Sequence, residues 1–337
     1  MFHTFSVALA AILSMFCIVG IGLQLRRTGR LTLEVEQPLL RLTVDLLLPC
    51  LIFDRVLKTD AFSNPQNLWL PPLFGFGLVV VGTLIGLGIA LLPAKQSGLK
   101  TWKQRRTFAA CVGIINYGFV PIPLVIALFP GDTRTLGVLF VQNLGVELSV
   151  WTIVLFTMLG RFDGKSLRRI INGPNVAIIS SVSLNLLGNS RLVPAAFHEH
   201  VAPCFDFLLM AVHMLGAAGI PLSIILIGAI FADHFHREEI KERLPTTLKI
   251  AFWSVLIRLI VMPVIFVSLA VFTPCTVEIK RVLIVHGAMG SAIFPMVLAK
   301  HYGGEPKTAF DTILSNSIFS ILTLPLWIAL GLKLIGG

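Results

Sequence analysis

Apolar residues run through this chain in long stretches, separated by short polar segments rich in Lys and Arg. Ten stretches stand out, at about 5–25, 38–56, 68–92, 108–129, 136–159, 176–187, 205–231, 248–272, 282–299 and 312–334. Most approach the ~20 residues that a helix needs to cross the ~30 Å hydrocarbon core of a bilayer. The sixth is short for a crossing. The first lacks a basic leader and exceeds the apolar core of a signal peptide, so it reads as a true span. The pattern predicts an all-α membrane protein with ten transmembrane helices.

Two of these stretches cannot be regular helices throughout. The fourth contains Asn116-Tyr117-Gly118-Phe119-Val120-Pro121-Ile122-Pro123. Gly118 weakens a helix, and Pro121 and Pro123 each remove an N–H and clash with the carbonyl one turn back. Lipid offers no water to freed backbone groups, so such a break survives only against protein or a wet cavity. One break alone fits a packing kink as well as a substrate site. The ninth stretch repeats it: a shift of 172 positions carries Gly118 onto Gly290, Pro123 onto Pro295, Val125 onto Val297, Ala127 onto Ala299 and Gly131 onto Gly303. Between them lies Met289-Gly290-Ser291-Ala292-Ile293-Phe294-Pro295. Interruptions at corresponding places in two halves are the sequence pointer to a carrier's binding site.

Charge sets the expected orientation. Most of the 27 Lys and Arg residues lie in the loops after stretches 1, 3, 5, 7 and 9, among them Arg26, Arg27, Arg30, Arg161, Lys165, Arg168 and Arg169. The positive-inside rule puts these loops in the cytoplasm and both termini outside. The halves 1–165 and 170–337 then hold five spans each. An odd number makes the second half enter from the opposite face, so the repeats are inverted, which suits alternating access.

Composition agrees. The chain is 55% hydrophobic and 13% charged, whereas soluble proteins carry about a quarter charged residues. In a soluble protein the net charge of +10 would suggest nucleic acid; here topology accounts for it, and no nucleic-acid partner is expected. Cys17, Cys50, Cys111, Cys204 and Cys275 are scattered without CxxC or paired metal spacing, so no disulfide framework, metal or cofactor is expected.

Where a helix restarts at mid-membrane, its first turn presents N–H groups and a partial positive charge. Pro123 and Pro295 suit such first turns. Two starts meeting at the repeat axis would form an anion site, with Asn116, Tyr117 and Ser291 adding directional hydrogen bonds. This favours a small carboxylate-bearing substrate and leaves neutral solutes open. The candidate binding residues are Asn116, Tyr117, Gly118, Phe119, Pro123, Met289, Gly290, Ser291 and Pro295. Glu147 lies mid-way through the fifth stretch, where a carboxylate costs at least about 2.5–3.5 kcal/mol. It is a candidate coupling group or else a structural partner of another helix, for instance Arg258. His286, close to the second break, is the other coupling candidate, whereas His213 reads as a packed, hydrogen-bonded residue. Arg41 and Asp45, spaced i, i+4, are expected to neutralise each other. Asn316 either lines the cavity or bonds across helices, and Gly82 with Gly86 predicts close helix packing in the third span.

Other patterns fail. In Gly160 to Ser166 the first Gly lies one residue too close to Gly164-Lys165-Ser166 for a P-loop. His198-Glu199-His200 and Asp233-His234-Phe235-His236 lack zinc-enzyme spacing and read as solvated loops. No catalytic cluster appears, so an enzyme is not expected.

Asn116-Tyr117-Gly118-Phe119 through Pro123, Leu47-Leu48-Pro49, Gly219-Ile220-Pro221-Leu222 through Gly228, and Ala288-Met289-Gly290-Ser291-Ala292 resemble the auxin efflux carrier family, including its bacterial malate or malonate permease-like branch. The likeness covers nearly the whole chain. It implies two inverted five-helix repeats, a scaffold of spans 1, 2, 6 and 7, and a transport domain of spans 3–5 and 8–10 with crossing broken helices 4 and 9. It also implies an organic anion moved by an elevator-like mechanism in a bacterial cytoplasmic membrane. The family usually has Pro after the Ala-Met of span 9, where this chain has Gly290. The acidic sodium-ligand motif of the related sodium–bile acid carriers has no match here. The expected partners are a small organic anion and the lipid bilayer, with a homodimer through the scaffold helices left open. A membrane sensor that uses the same pocket without transport is the alternative function.

Overall fold

The structure, a computed structural model, describes residues 2–160, 164–188, 206–234 and 244–336. Arg161, His198-Glu199-His200, Cys204, Phe235 and His236 lie outside them. Among the described residues the fold is all-helical, with one isolated β-bridge.

Helix α1 covers Phe2–Arg27, and α2 (Leu33–Leu42) continues through a π turn at Thr43–Leu47 into α3 (Leu48–Leu57). α4 (Gln66–Ala90) and the short α5 (Ala94–Ser97) lead to α6 (Trp102–Gly113), a break, and α7 (Pro121–Leu128). α8 (Thr133–Ser149) passes through a π turn at Val150–Val154 into α9 (Leu155–Leu159), and α10 is Gly173–Gly188. α11 (Asp206–His234) precedes α12 (Leu244–Leu256), which joins α13 (Met262–Phe272) through a π turn at Ile257–Val261. α14 (Val277–Ala288) breaks before α15 (Phe294–His301), and α16 covers Pro306–Leu334.

Among the described residues six helical segments are long and apolar enough to cross a membrane: 2–27, 66–90, 133–159, 206–232, 247–272 and 306–334. The other four expected spans fall short for identifiable reasons. α10 has only 16 residues. The second span carries Arg41, Asp45, Asp54 and Arg55. The fourth and ninth are each cut into pieces of 12 and 8 residues. At 1.5 Å per residue such pieces rise roughly 18 and 12 Å, together about one hydrocarbon thickness.

The two broken segments are built alike. Thr101 caps α6 by accepting from the Gln104 amide, and Thr276 caps α14 by accepting from the Ile279 amide. After each short piece comes a left-handed glycine, Gly131 (φ 79°) and Gly303 (φ 70°), the pair matched by the 172 shift. An acidic cap then starts the next helix: Asp132 for α8 and Glu305 for α16. Each cap is tied to the opposite broken segment. Arg281 Nη1 on α14 donates to Asp132 at 2.8 Å, and the Glu305 amide donates to Thr107 Oγ1 on α6 at 2.9 Å.

Helices are not driven together by apolar burial within lipid, so close backbone approach matters more. The helices pack in two sets that meet where α1 lies on α16 and α7 and α3 lies on α8. α1 lies on α11, and α3 on α10 and α11. In the other set α4 packs on α6 and α8, α13 on α14, and α16 on α6, α12 and α14. The small-residue expectation for the third span holds: a Cβ on Gly86 would sit 2.9 Å from Ala109 Cα of α6. An apolar cluster that includes Cys111, Ile114, Ile115, Val146, Ala292 and Met296 wraps the two breaks.

Candidate functional site

The two breaks meet. Ile115 and Ser291 form an antiparallel bridge, in which the Asn116 amide donates to Gly290 O and the Ala292 amide to Ile114 O, both at 3.0 Å. These bonds flank the Ile115–Ser291 pair, which is therefore a non-hydrogen-bonded pair with its side chains close together. Backbone freed by Gly and Pro in one segment thus finds its partners in the other. That answers the cost of unpaired amides away from water.

Side chains from neighbouring helices hold each break. Asn143 Nδ2 on α8 donates to Tyr117 O at 2.9 Å, and Asn316 Nδ2 on α16 donates to Ser291 Oγ at 2.9 Å. Glu147 accepts from Tyr117 Oη at 2.6 Å and from Trp151 Nε1 at 2.8 Å. It forms no ion pair with Arg258, the partner the sequence suggested. Arg258 instead reaches the second break, donating from Nε to Met289 O at 2.9 Å and from Nη2 to His286 O at 3.3 Å. His286 Nδ1 and Gln142 Nε2 are 2.7 Å apart.

The restarting half-helices differ from expectation in one respect. Pro121 and Pro123 occupy the first and third positions of α7 and carry no N–H, while the Ile122 amide between them donates to Gly118 O. Free donors therefore lie one step earlier: the amides of Tyr117, Gly118, Phe119 and Val120 find no acceptor among the described residues. They sit beside the positive end of the α7 dipole, so the anion-favouring character is kept with a changed set of donors.

Two cavities flank the crossing. The larger, about 330 Å³, is lined by Asn116, Tyr117, Gly118, Phe119, Asn143 and Glu147, with Trp151, Arg169, Asn172 and Asn175 farther along and apolar walls from α3 and α10. The smaller, about 90 Å³, is lined by Asn116, Met289, Gly290 and Ser291 together with α1, α11 and α16. Asn116, Ile227 and Ile293 border both. Of the predicted site residues, Pro123 and Pro295 line neither cavity, and their place is in the first turns of α7 and α15. His286 is fully buried and also lines neither.

Sequence reasoning missed Arg169, which had entered only as a topological charge. Its guanidinium lies over the rings of Trp151 (5.5 Å) and Tyr302 (5.3 Å) at the larger cavity. His213 is hydrogen-bonded as expected, to Asp54 at 2.9 Å, but its side chain is exposed rather than packed. Arg41 and Asp45 do not pair with each other. Both are exposed, and the π turn at Thr43–Leu47 rotates Asp45 off the face that an α-helix would share with Arg41. Among the described residues no cluster of His, Cys, Asp and Glu could hold a metal ion.

A family model described as membrane transport protein matches residues 7–183 and 164–328. A protein of Methanothermobacter thermautotrophicus, named as an uncharacterized transporter, is 24% identical over 320 residues, which cover 94% of this chain and 96% of that protein.

Proposed function

The chain belongs to the membrane transport protein family that includes the auxin efflux carriers, and from that premise we propose that it is a secondary carrier for a small organic anion. The carrying observation is the bridge between Ile115 and Ser291, which separates the two cavities: Ser291 lines the smaller, and the adjoining Asn116 and Ala292 line the larger. It brings two helix interruptions to one point, with free amides from Tyr117 to Val120 beside the positive end of α7. Carriers bind substrate at such discontinuous helices.

In this reading ten spans form two inverted repeats, 1–165 and 170–337. The equal lengths of the broken pieces, the matched Thr caps and the matched glycine turns support it. Spans 1, 2, 6 and 7 act as a scaffold, and spans 3–5 and 8–10 move against it like an elevator, sliding where α1 meets α7 and α16 and where α3 meets α8. The basic loops face the cytoplasm and both termini lie outside, in a bacterial cytoplasmic membrane, with a homodimer through the scaffold helices.

Asn116, Tyr117, Gly118 and Phe119 face the substrate in the larger cavity, whereas Met289, Gly290 and Ser291 line the smaller one and brace the crossing. Pro123 and Pro295 set the half-helix starts. Glu147 is the coupling group: its carboxylate borders the cavity and is bonded to Tyr117, so its proton is tied to the break itself. His286, remote from both cavities, has less support for that role.

Counterflow of labelled mono- and dicarboxylates in proteoliposomes tests the proposal. The carrier reading expects saturable flux of at least one organic anion. Binding without flux selects a sensor instead, and neither binding nor flux for any organic anion overturns the anion site.

A further inference from the structure

Arg258 is fully buried, with no ion pair to any described residue. A buried charge without a partner is costly, so its contacts need a reason. Two of its three nitrogens donate to His286 O and Met289 O, carbonyls at the end of α14 where that helix stops inside the protein. Its guanidinium also lies 5.9 Å from the Phe266 ring centre. The carbonyl end of a helix carries partial negative charge and lacks intrahelical donors. In carriers with interrupted helices, such ends coordinate small cations.

The first half handles the same place differently. The 172 shift carries Arg258 onto Gly86 and Ser254 onto Gly82, both glycines on α4 packed backbone to backbone against α6. The first break has its carbonyls met by neutral donors, the Ala292 amide at Ile114 O and Asn143 at Tyr117 O. Among the described residues only the second break has a cation on its carbonyls, delivered from the π turn at Ile257–Val261.

We propose that Arg258 is the resident cation of the second crossover: its guanidinium fills the carbonyl-lined position that an alkali-metal ion would otherwise take, so the fold needs no inorganic cation there. Arg258 is a positioning residue. It fixes His286, Met289 and through them Gly290 and Ser291 against the opposite break. The inference goes beyond the carrier reading, because it is read without any substrate.

The test uses the full-length protein in detergent. Wild type should show the same Tm in sodium, potassium and choline chloride at equal ionic strength, and no saturable binding of radiolabelled sodium. Arg258→Ala should lose several degrees of Tm and recover them with low millimolar guanidinium chloride but not with choline chloride. If Arg258→Ala does not fold, Arg258→Lys and Arg258→Gln decide the matter. Lys keeps the charge, whereas Gln keeps a neutral donor, so Lys should hold the higher Tm. A saturable sodium effect on wild type, an Arg258→Ala protein with wild-type Tm or without guanidinium recovery, or Gln equal to or better than Lys would overturn the proposal.

Discussion

At the first break, Asn116 to Val120 are only partly buried, and Asn116 to Phe119 border the larger cavity; at the second, Met289 and Ser291 are buried and held by Arg258 and Asn316. The backbone plan is shared: pieces of 12 and 8 residues, a Thr cap before and a left-handed glycine after. The surroundings are not shared. A repeated backbone can thus border an open cavity in one copy and be braced in the other, depending on which side chains the neighbouring helices send in.

That contrast is open to direct attack. The largest stability effect outside Arg258 is expected for Asn316→Leu. Its amide is fully buried and supplies the partner of Ser291 Oγ, and a stranded buried polar group costs about 1–3 kcal/mol. Asn143→Leu should cost less, because Tyr117 borders the larger cavity and water can replace the lost donor there. It should nonetheless reduce organic-anion flux more strongly than it reduces Tm. Thermal melts that rank Asn143→Leu as the more destabilising change would erase the distinction between the braced break and the one that borders a cavity.

Next comes Glu147→Gln. The amide still offers an oxygen to one of the two donors, Tyr117 Oη or Trp151 Nε1, so the fold should persist. Flux should lose its dependence on pH, and a pH profile identical to wild type would remove Glu147 from the coupling role. Smaller still is Gly118→Ala. A Cβ there meets nothing within 4 Å, and the backbone is not left-handed. Tm should stay near wild type while anion affinity shifts, since the methyl enters the larger cavity.

The smallest effect lies outside the crossing. The hydrogen bond from Arg134 holds the exposed Asp60 carboxyl below the usual carboxylate range. A group depressed in the folded state stabilises above its unfolded pKa, and that contribution is lost as pH falls through the folded value. Exposure keeps it slight. Arg134→Gln should therefore narrow the Tm difference between neutral and strongly acidic pH by a little, and an unchanged difference would show that the pair contributes nothing.

The breaks were legible in the sequence because Gly and Pro cluster there: Gly118 with Pro121 and Pro123, and Gly290 with Pro295, interrupt their helices, whereas the single Pro221 and Pro325 stay inside α11 and α16. The matched spacing of the breaks also announced the second copy. What contacts them was not legible, because it depends on packing across 25 to 30 positions or more. Asn143 looked like any polar residue in a span, whereas Asn316, expected to line the cavity or bond across helices, does the second, to Ser291. Arg258 suggested a carboxylate partner and found two carbonyls instead. Arg169 read as a loop charge and lies over two aromatic rings at the cavity. The Arg41–Asp45 expectation failed because nothing in the local composition announces a π turn.

The central claim is that the two interrupted segments pair backbone to backbone at Ile115 and Ser291. Replacing both by cysteine, with the five native cysteines removed, tests it most directly in the membrane-embedded protein. Non-hydrogen-bonded antiparallel pairs hold their side chains close enough for a disulfide. Mild oxidation should therefore link the Ile115 and Ser291 peptides within one chain, as read by mass spectrometry. Two thiols that stay free under oxidation in a folded protein would contradict the crossing and the site built on it.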